Sequence, residues 1–315
     1  MTSDQKALAR IFFMLKVHQS NVFSFEHLFG QVMDYRPTFL KIKPYGHQGD
    51  RGNDGYEKDY GRYYQVYAPE NPTNSYKDAI YKVNTDFKDK LLPYWSNICE
   101  IKEYFFVFND KYSGSNIVLE NTLSAIKNNH SLHQANVFIA KYLEQEFMML
   151  DDDKIIVILN GLPNIDAAES LYYSVLSEVI KHVQSIPLTL NTKGALVAPD
   201  LDNKILFNGL NIVSSWLKAK QLETWQLDEY FQNNSDFAKD TLRNHLAEIY
   251  QESCTVHPEL AGQNNVDLGD LRFVYILNKI APPTPDRTHH KCRQEAALVI
   301  MARYFETCDI FEEPI

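Results

Sequence analysis

Residues 46–55 read Gly-His-Gln-Gly-Asp-Arg-Gly-Asn-Asp-Gly, and residues 63–70 read Tyr-Tyr-Gln-Val-Tyr-Ala-Pro-Glu. The first stretch is a glycine-rich turn that contains Asp54, and the second has the pattern of a short strand. Because side chains alternate across a strand, Gln65 and Tyr67 are expected on the same face. An acid in a tight turn beside such a strand brings oxygen ligands to one divalent cation. The pattern therefore predicts a metal site around Asp54 and Gln65.

Helices and strands alternate on both sides of this stretch. Ser24 is placed to cap a helix with apolar residues at helical spacing, which ends before Pro37. The run at 103–108 is apolar on both faces, as in a central strand covered by helices. Further strands are predicted at 39–43 and 135–139, and helices at 76–92, 119–128 and 140–150, while 155–159 fits either type. These elements predict an α/β domain over residues 1–163, with a mixed sheet and flanking helices.

Three of these features occur in an order that resembles a known family. Glu26 in the early helix, Asp54 in the turn and Gln65 in the strand resemble the PD-(D/E)XK nucleases in their Mrr-like restriction-endonuclease branch. In that family a helix acid, an aspartate and a Glu/Gln-x-Lys strand bind Mg²⁺, or Mn²⁺, and activate water for phosphodiester cleavage. The resemblance implies a restriction-endonuclease-like sheet, double-stranded DNA as substrate, and Glu26, Asp54 and Gln65 as metal ligands.

The lysine of the family pattern does not carry over, because position 67 is Tyr. That lysine is the group expected to stabilise the attacking hydroxide or the pentavalent phosphate. Two interpretations stay open. Lys41 and Lys43 share one face of the predicted strand 39–43, so either is placed to replace it; alternatively, Tyr67 marks a domain that holds DNA without cutting it. A third interpretation makes the glycine motif a purely structural turn in a metal-free interaction factor.

Composition and charge limit the possible functions. The 315 residues, 44% hydrophobic and 23% charged, are typical of a folded protein with one large or two ordinary domains. The net charge of −10 disfavours general nucleic-acid binding, which needs Lys and Arg to neutralise phosphates. Residues 36–63 differ from this average, with six basic residues against four acids. A bound cation would make that segment positive.

Several other kinds of site are disfavoured. No Gly-Lys-Ser/Thr follows a glycine cluster, so ATP hydrolysis would have to come from a partner. Residues 289–292 read His-His-Lys-Cys, but no second pair of zinc ligands stands nearby. The four widely spaced cysteines are typical of reduced thiols in a cytosolic protein. The apolar run at 11–15 is too short for a signal core or a membrane span, so we expect a cytoplasmic protein.

From Pro163 onward the pattern becomes helical. Helices are predicted over 167–186, 210–220, 227–231, 237–252, 268–280 and 289–307, with a long linker at 187–204. Within this region, 204–210 (Lys-Ile-Leu-Phe-Asn-Gly-Leu) and 304–312 (Tyr-Phe-Glu-Thr-Cys-Asp-Ile-Phe-Glu) resemble the helical C-terminal regions of bacterial ABC three-component defence proteins. These proteins pair a toxic effector with an SMC-like ATPase, as the Lamassu group does. The resemblance implies that residues 164–315 are an assembly domain.

The two resemblances together predict a metal-dependent DNA endonuclease effector of a bacterial anti-phage defence complex. They imply an SMC-like ABC ATPase and an accessory subunit as partners, in a homo- or hetero-oligomer away from membranes. The competing hypothesis is a catalytically impaired, nuclease-like subunit that binds DNA or serves as a scaffold for the ATPase complex.

Overall fold

A computed structural model describes residues 1–163, 173–188, 200–233, 237–256, 267–307 and 310–314. The chain forms two compact units: Phe13–Ile158 is one, and Met1–Phe12 with Leu159–Ile315 is the other. We call the first the sheet unit and the second the helical unit. The predicted domain boundary after residue 163 stays a prediction, and residue 164 lies outside the described residues. Within the described part of the chain, none of the helices has the length and apolar character needed to cross a bilayer.

The sheet unit contains one five-stranded sheet. Its strands are β1 (Phe39–Lys41), β2 (Gly55–Glu57), β3 (Arg62–Tyr67), β4 (Glu103–Phe108) and β5 (Gln134–Ile139), and they are neighbours in that order. The pairs β1–β2 and β2–β3 are antiparallel, whereas β3–β4 and β4–β5 are parallel. The predicted mixed sheet with flanking helices is therefore confirmed. β5 is an edge strand of this sheet.

Helices precede, separate and follow these strands. They are α1 (Ser3–Gln19), α2 (Val22–Met33), α3 (Tyr76–Thr85), a π-helical segment (Asp86–Leu91), α4 (Leu92–Trp95), α5 (Ile117–Asn129), α6 (Ala140–Met148) and α7 (Asp152–Leu159). Residues 155–159 are thus helical, which resolves the ambiguity of that run. The predicted end of a helix at Pro93 is wrong, because α3, the π-helical segment and α4 follow one another without a gap and the helical chain continues through Pro93 to Trp95.

The start of α2 also differs from the prediction. The helix begins at Val22, and Asn21 precedes it. Ser24 is inside the first turn, where its hydroxyl accepts a hydrogen bond from the Asn21 N–H at 2.8 Å. Ser24 therefore stabilises the helix start from the third helical position, as in a capping box, and is not the N-cap itself.

The two faces of the sheet have separate cores. On the face toward α3, α4 and α5, Tyr63, Tyr104 and Phe106 pack in one buried cluster with residues of those helices. On the face toward α2, Phe29 packs edge-on or tilted against the rings of Phe39, Tyr64 and Phe138. Since Tyr64 belongs to the α2 face, the alternation of β3 places Gln65 and Tyr67 on the α3 face.

In its described residues, the regular secondary structure of the helical unit consists of α-helices. After residues 1–12 and Leu159 it contains α8 (Tyr173–Ser185), α9 (Leu201–Phe207), α10 (Ser214–Gln221), α11 (Trp225–Asn233), α12 (Phe237–Val256), α13 (Leu268–Ile280) and α14 (Arg287–Glu306). The α14 residues from Gln294 to Ala302 are all buried, and the helix packs against α8, α10, α11 and α13. A helical stretch that is buried on all sides, with apolar residues over most of its length, lies at the centre of a bundle. The mainly helical C-terminal region is therefore confirmed.

One prediction for this region needs correction. Residues 201–204 belong to α9, so the predicted linker at 187–204 is shorter at its carboxyl end. The part of that linker at 189–199 and the predicted helical residues 167–172 lie outside the described residues.

Candidate active site

The glycine-rich loop at 46–55 is held in place by its own side chains and by α4. The Asp50 carboxylate accepts a hydrogen bond from the Gly52 N–H at 2.7 Å, and the Trp95 indole donates to the Asp50 carbonyl at 3.0 Å. Gly52 has a φ of 75°, and a β-carbon there would approach the backbone oxygen of Asp86 to 3.3 Å. Only glycine satisfies both conditions without strain. The loop thus packs closely on the π-helical segment and leads directly into Asp54.

Asp54 is fixed at the start of β2. Its carboxylate accepts a hydrogen bond from the Val66 N–H of β3 at 2.6 Å. Burial raises the pKa of Asp54 to about 7. The Val66 hydrogen bond and the Lys82 charge lower the pKa, whereas the charges of Asp50 and Glu26 raise it further. The charges of Glu26, Asp50 and Lys82 therefore all act on Asp54, and we call these four residues the Asp54 cluster.

Besides Asp54, this cluster contains one predicted site residue, Glu26, and two residues that were not predicted as part of the site, Asp50 and Lys82. Glu26 of α2 was predicted as the helix acid, and its charge does act on Asp54. Lys82 lies on α3, and the sequence offered no signal for its role beyond its place on a predicted helix. Lys82 donates to the Asp86 carboxylate at 2.6 Å. The lysine whose charge acts on Asp54 therefore lies on α3, the helix that follows β3 in the chain.

The predicted replacements for that lysine occupy other places. β1 ends at Lys41, so the expectation that Lys41 and Lys43 share one face of a strand is wrong. Lys41 crosses toward α2, where its Nζ lies 3.0 Å from the position that a β-carbon on Gly30 would take. Lys43 follows the strand and is exposed. A catalytic role for either residue stays a prediction.

Gln65 is buried, with 1% of its surface exposed, and both ends of its amide are engaged. Its Oε1 accepts a hydrogen bond from the Tyr104 hydroxyl at 2.5 Å, and its Nε2 donates to Asp86 at 2.7 Å. Asp86 also forms ion pairs with Lys82 and Lys90, at 2.6 and 2.5 Å. Burial alone would raise the pKa of Asp86, but the hydrogen bonds from these lysines lower it. Asp86 is therefore an ionised, buried link between Gln65 and Lys82.

This network bears on the predicted role of Gln65. A metal ion needs the carbonyl oxygen of Gln65, and that oxygen faces Tyr104 in this structure. Ligation by Gln65 would therefore require its amide to leave Tyr104. The role of Gln65 as a ligand stays a prediction, and its observed role is to position Asp86.

Tyr67, which stands where the family has lysine, is part of an aromatic row. Its ring stacks on Phe106 and Phe108, with centroids 6.0 and 6.1 Å apart. Burial raises the pKa of the Tyr67 hydroxyl, so this group stays neutral at physiological pH. Tyr67 therefore contributes packing to the α3 face and supplies no positive charge.

The carboxylate oxygens of the Asp54 cluster are the type of ligand that a hard cation such as Mg²⁺ prefers. Among the described residues, no group of three or more His, Cys, Asp or Glu side chains is arranged to hold a metal ion. Mg²⁺ commonly uses only one or two protein carboxylates and takes its other ligands from water and substrate phosphates. The Asp54 carboxylate is a ligand of the type that this mode of binding uses, and Glu26 and Asp50 are the acids whose charges act on it.

The raised pKa of Asp54 makes the stability of the protein depend on pH. Between about pH 4 and pH 7 the folded protein keeps a proton on Asp54 that the unfolded chain releases, so stability falls as pH rises through this window. We expect Asp54→Asn to be more stable than wild type at pH 8.5, by about 1–2 kcal/mol. The difference should shrink at pH 5.

Thermal unfolding at both pH values measures this effect. Asp59→Asn, which changes an exposed acid in the segment between β2 and β3, is the matched control and should leave the melting temperature nearly unchanged. A difference between wild type and Asp54→Asn that is the same at both pH values would show that Asp54 does not titrate in this window.

Comparison with known proteins identifies the carboxyl-terminal part of the chain. Residues 174–312 match the family model of C-terminal domain 10 of the ABC-three component (ABC-3C) systems. This region is similar to that C-terminal domain. The predicted resemblance of the C-terminal strings to ABC three-component proteins is confirmed at this level, while the PD-(D/E)XK domain stays a prediction. Neither the curated proteins nor the solved structures include a significant match to the chain.

Inside the matched region, buried charged groups join helices that are distant in sequence. Asp270 of α13 is fully buried and accepts hydrogen bonds from the N–H groups of Ile212 and Val213, at 3.0 and 3.2 Å. It thereby supplies acceptors at the start of α10. Lys220 at the end of α10 is 2% exposed and lies 2.8 Å from a carboxylate oxygen of Glu295 on α14. These contacts hold α10 against both α13 and α14.

Proposed function

We propose that this protein is the nuclease-like effector subunit of an ABC-3C anti-phage defence complex, and that its sheet unit cleaves double-stranded DNA with Mg²⁺ or Mn²⁺. The observation that supports this most directly is the electrostatic cluster of Glu26, Asp50, Asp54 and Lys82 beside β2 and β3. Carboxylates and a lysine at one place are what phosphodiester hydrolysis with a hard cation requires.

Each residue of the cluster has a definite role in this proposal. Asp54, with Glu26 or Asp50, would hold the ion, which when bound polarises the scissile phosphate and lowers the pKa of a water molecule. The Lys82 ammonium would stabilise negative charge on the phosphoryl group as the water attacks. Asp86 keeps that ammonium near Asp54 through its 2.6 Å ion pair. Asp86 is therefore a positioning residue.

The similarity of residues 174–312 to an ABC-3C domain supports the proposal that the protein acts in a complex. The sequence lacks a phosphate-binding Gly-Lys-Ser/Thr motif, so an SMC-like ABC ATPase would supply ATP hydrolysis. The overall charge of −10 also suggests that a partner contributes to DNA affinity, because acidic surfaces repel phosphates. We propose the helical unit as the part that binds the ATPase and its accessory subunit.

The second candidate function is a catalytically impaired subunit that binds DNA or serves as a scaffold. Two contacts favour it. The Gln65 carbonyl is engaged by Tyr104, and Lys82 is paired with Asp86. In this case the cluster would only hold the loop at 46–55 against α3. Tyr67 would then occupy the position from which the catalytic lysine of the family has been lost.

Plasmid cleavage by the purified full chain separates the two functions. The assay compares Mg²⁺, Mn²⁺ and EDTA, with the chain alone and with the ATPase and accessory subunit encoded beside it. Metal-dependent cutting in any combination supports the nuclease. DNA binding without cutting in every combination favours the scaffold, and neither binding nor cutting favours the metal-free interaction factor.

We expect Lys82→Met to lower cleavage by about 10²–10³-fold, since it removes a positive charge from the transition state but keeps the length of the side chain. Lys41→Met is the matched control, because Lys41 packs toward Gly30, and it should retain activity within about threefold. Initial rates of plasmid nicking at saturating Mg²⁺ measure both variants. Loss of activity in Lys41→Met with full activity in Lys82→Met would assign the lysine to β1 instead.

A further inference from the structure

A pocket of about 510 Å³ lies along the edge strand β5 of the sheet unit. It is lined by residues of β3, β4, β5, α5 and α6, among them Tyr64, Phe105, Asn136, Phe138, Tyr142 and Gln145. Tyr64 and Phe105 belong to the α2 face of the sheet, and the residues of the Asp54 cluster do not line this pocket, so the two sites are separate. A volume of this size accommodates a small organic molecule of nucleoside size.

The walls of the pocket are aromatic. Tyr64 and Phe105 stack with centroids 5.5 Å apart, and Phe138 stands edge-on to Phe105 at 6.5 Å. Tyr142 on α6 extends the wall from Phe138 and is 45% exposed. Tyr64 and Phe105 already stack on each other, and the Arg62 guanidinium lies 5.4 Å from the centroid of the Phe105 ring, so the exposed Tyr142 ring is the one on which a flat ligand can stack.

The polar groups of the pocket combine donors and acceptors. Asn136 and Gln145 each carry an amide with both kinds of group. A ring whose rim alternates donors and acceptors, as nucleobases do, matches this set.

The charges argue against an anionic ligand. Arg36 and Arg62 line the pocket, but both are already ion-paired: Arg36 with Glu57 and Glu146, and Arg62 with Glu57 and Glu103. Glu120 adds a further carboxylate to the lining. Four carboxylates around two guanidinium groups leave no surplus positive charge for a phosphate. The ligand is therefore uncharged or positively charged.

From the aromatic walls, the polar groups and the charges, we propose that this pocket binds an uncharged nucleobase ring. The ring would come from a free nucleoside or from a base turned out of a DNA strand, which present the same chemistry. The proposal does not depend on nuclease activity, because the pocket shares no lining residue with the Asp54 cluster.

Calorimetry and thermal shift on the full chain test this proposal. The probes are adenosine, guanosine, cytidine and thymidine, with ribose, the matching 5′-monophosphates and a short single-stranded oligonucleotide. At least one nucleoside is expected to bind and raise the melting temperature, ribose to have no effect, and the monophosphate to bind more weakly. Binding of the oligonucleotide alone would assign the ring to an extruded base.

Variants locate the binding site. Tyr142→Ala and Asn136→Ala change exposed residues of the lining and should each weaken binding about tenfold, the effect of one stacking or one hydrogen-bonding contact. Gln134→Ala, at an exposed position of the same strand outside the lining, is the control and should bind like wild type. The proposal is overturned if no probe binds, if both variants bind normally, or if a monophosphate binds more tightly than its nucleoside.

Discussion

Asp54→Asn is expected to reduce metal-dependent DNA cleavage by at least about 10²–10³-fold. The asparagine amide is neutral and offers one oxygen, so it loses the charge that attracts the cation and lowers the affinity for Mg²⁺. It keeps an oxygen that can accept the hydrogen bond from the Val66 N–H, now 2.6 Å from the carboxylate, so the start of β2 should stay in place. The variant therefore separates loss of chemistry from loss of structure.

Two measurements make this result decisive. Initial cleavage rates are compared over a range of Mg²⁺ and Mn²⁺ concentrations and at pH 6 and pH 8.5. Because burial raises the pKa of Asp54 to about 7, wild-type activity should rise across this range as the carboxylate ionises. Asp59→Asn should follow the wild-type profile. Full cleavage by Asp54→Asn would remove Asp54 from the centre of the site and with it the proposed nuclease mechanism.

Glu57→Ala is expected to destabilise the sheet unit by about 3 kcal/mol. Glu57 is 2% exposed and accepts hydrogen bonds from the Tyr64 hydroxyl at 2.6 Å and the Thr38 hydroxyl at 2.5 Å. It also pairs with Arg36 and Arg62, at 3.3 and 3.2 Å. Removal of the carboxylate leaves these four groups without a shared acceptor. Glu57 is thus the acid that joins β1, β2 and β3 on the α2 face.

The pH dependence of this effect has a definite sign. Burial alone would raise the pKa of Glu57, but hydrogen bonds from Thr38 and Tyr64 and the charges of both arginines hold it below its usual value of 4.5. The stabilisation by Glu57 is therefore present above about pH 4.5 and is lost as pH falls through the lowered pKa.

Urea unfolding at pH 7 and pH 3 measures both aspects. Glu57→Ala should lower the midpoint strongly at pH 7 and much less at pH 3. Glu100→Ala, which removes a carboxylate whose side chain is 78% exposed, is the control and should cost less than about 0.5 kcal/mol. An equal loss of stability at the two pH values would show that the charge of Glu57 is not what stabilises this face.

Some elements follow from the sequence because their signals are local. The run at 103–108, apolar on both faces, is β4 (Glu103–Phe108), and the predicted helix at 268–280 is α13 (Leu268–Ile280). The glycine-rich turn likewise places Asp54 beside β3, where the Asp54 N–H donates to the Tyr64 carbonyl at 2.9 Å, although the short strand β2 that follows Asp54 was not predicted. In each case hydrophobic periodicity or turn chemistry within a few residues determines the conformation.

The composition of the site is different, because it depends on contacts between distant residues. Gln65 meets Asp86 across 21 positions and Tyr104 across 39, and only the packing of α3 and the π-helical segment on the sheet brings these groups together. The same packing, and not the strand at 39–41, brings a lysine charge to Asp54 and buries this acid enough to raise its pKa. The sequence by itself determined the elements and the position of Asp54, whereas the tertiary structure decided its partners, since burial and side-chain hydrogen bonds exist only after the elements have packed.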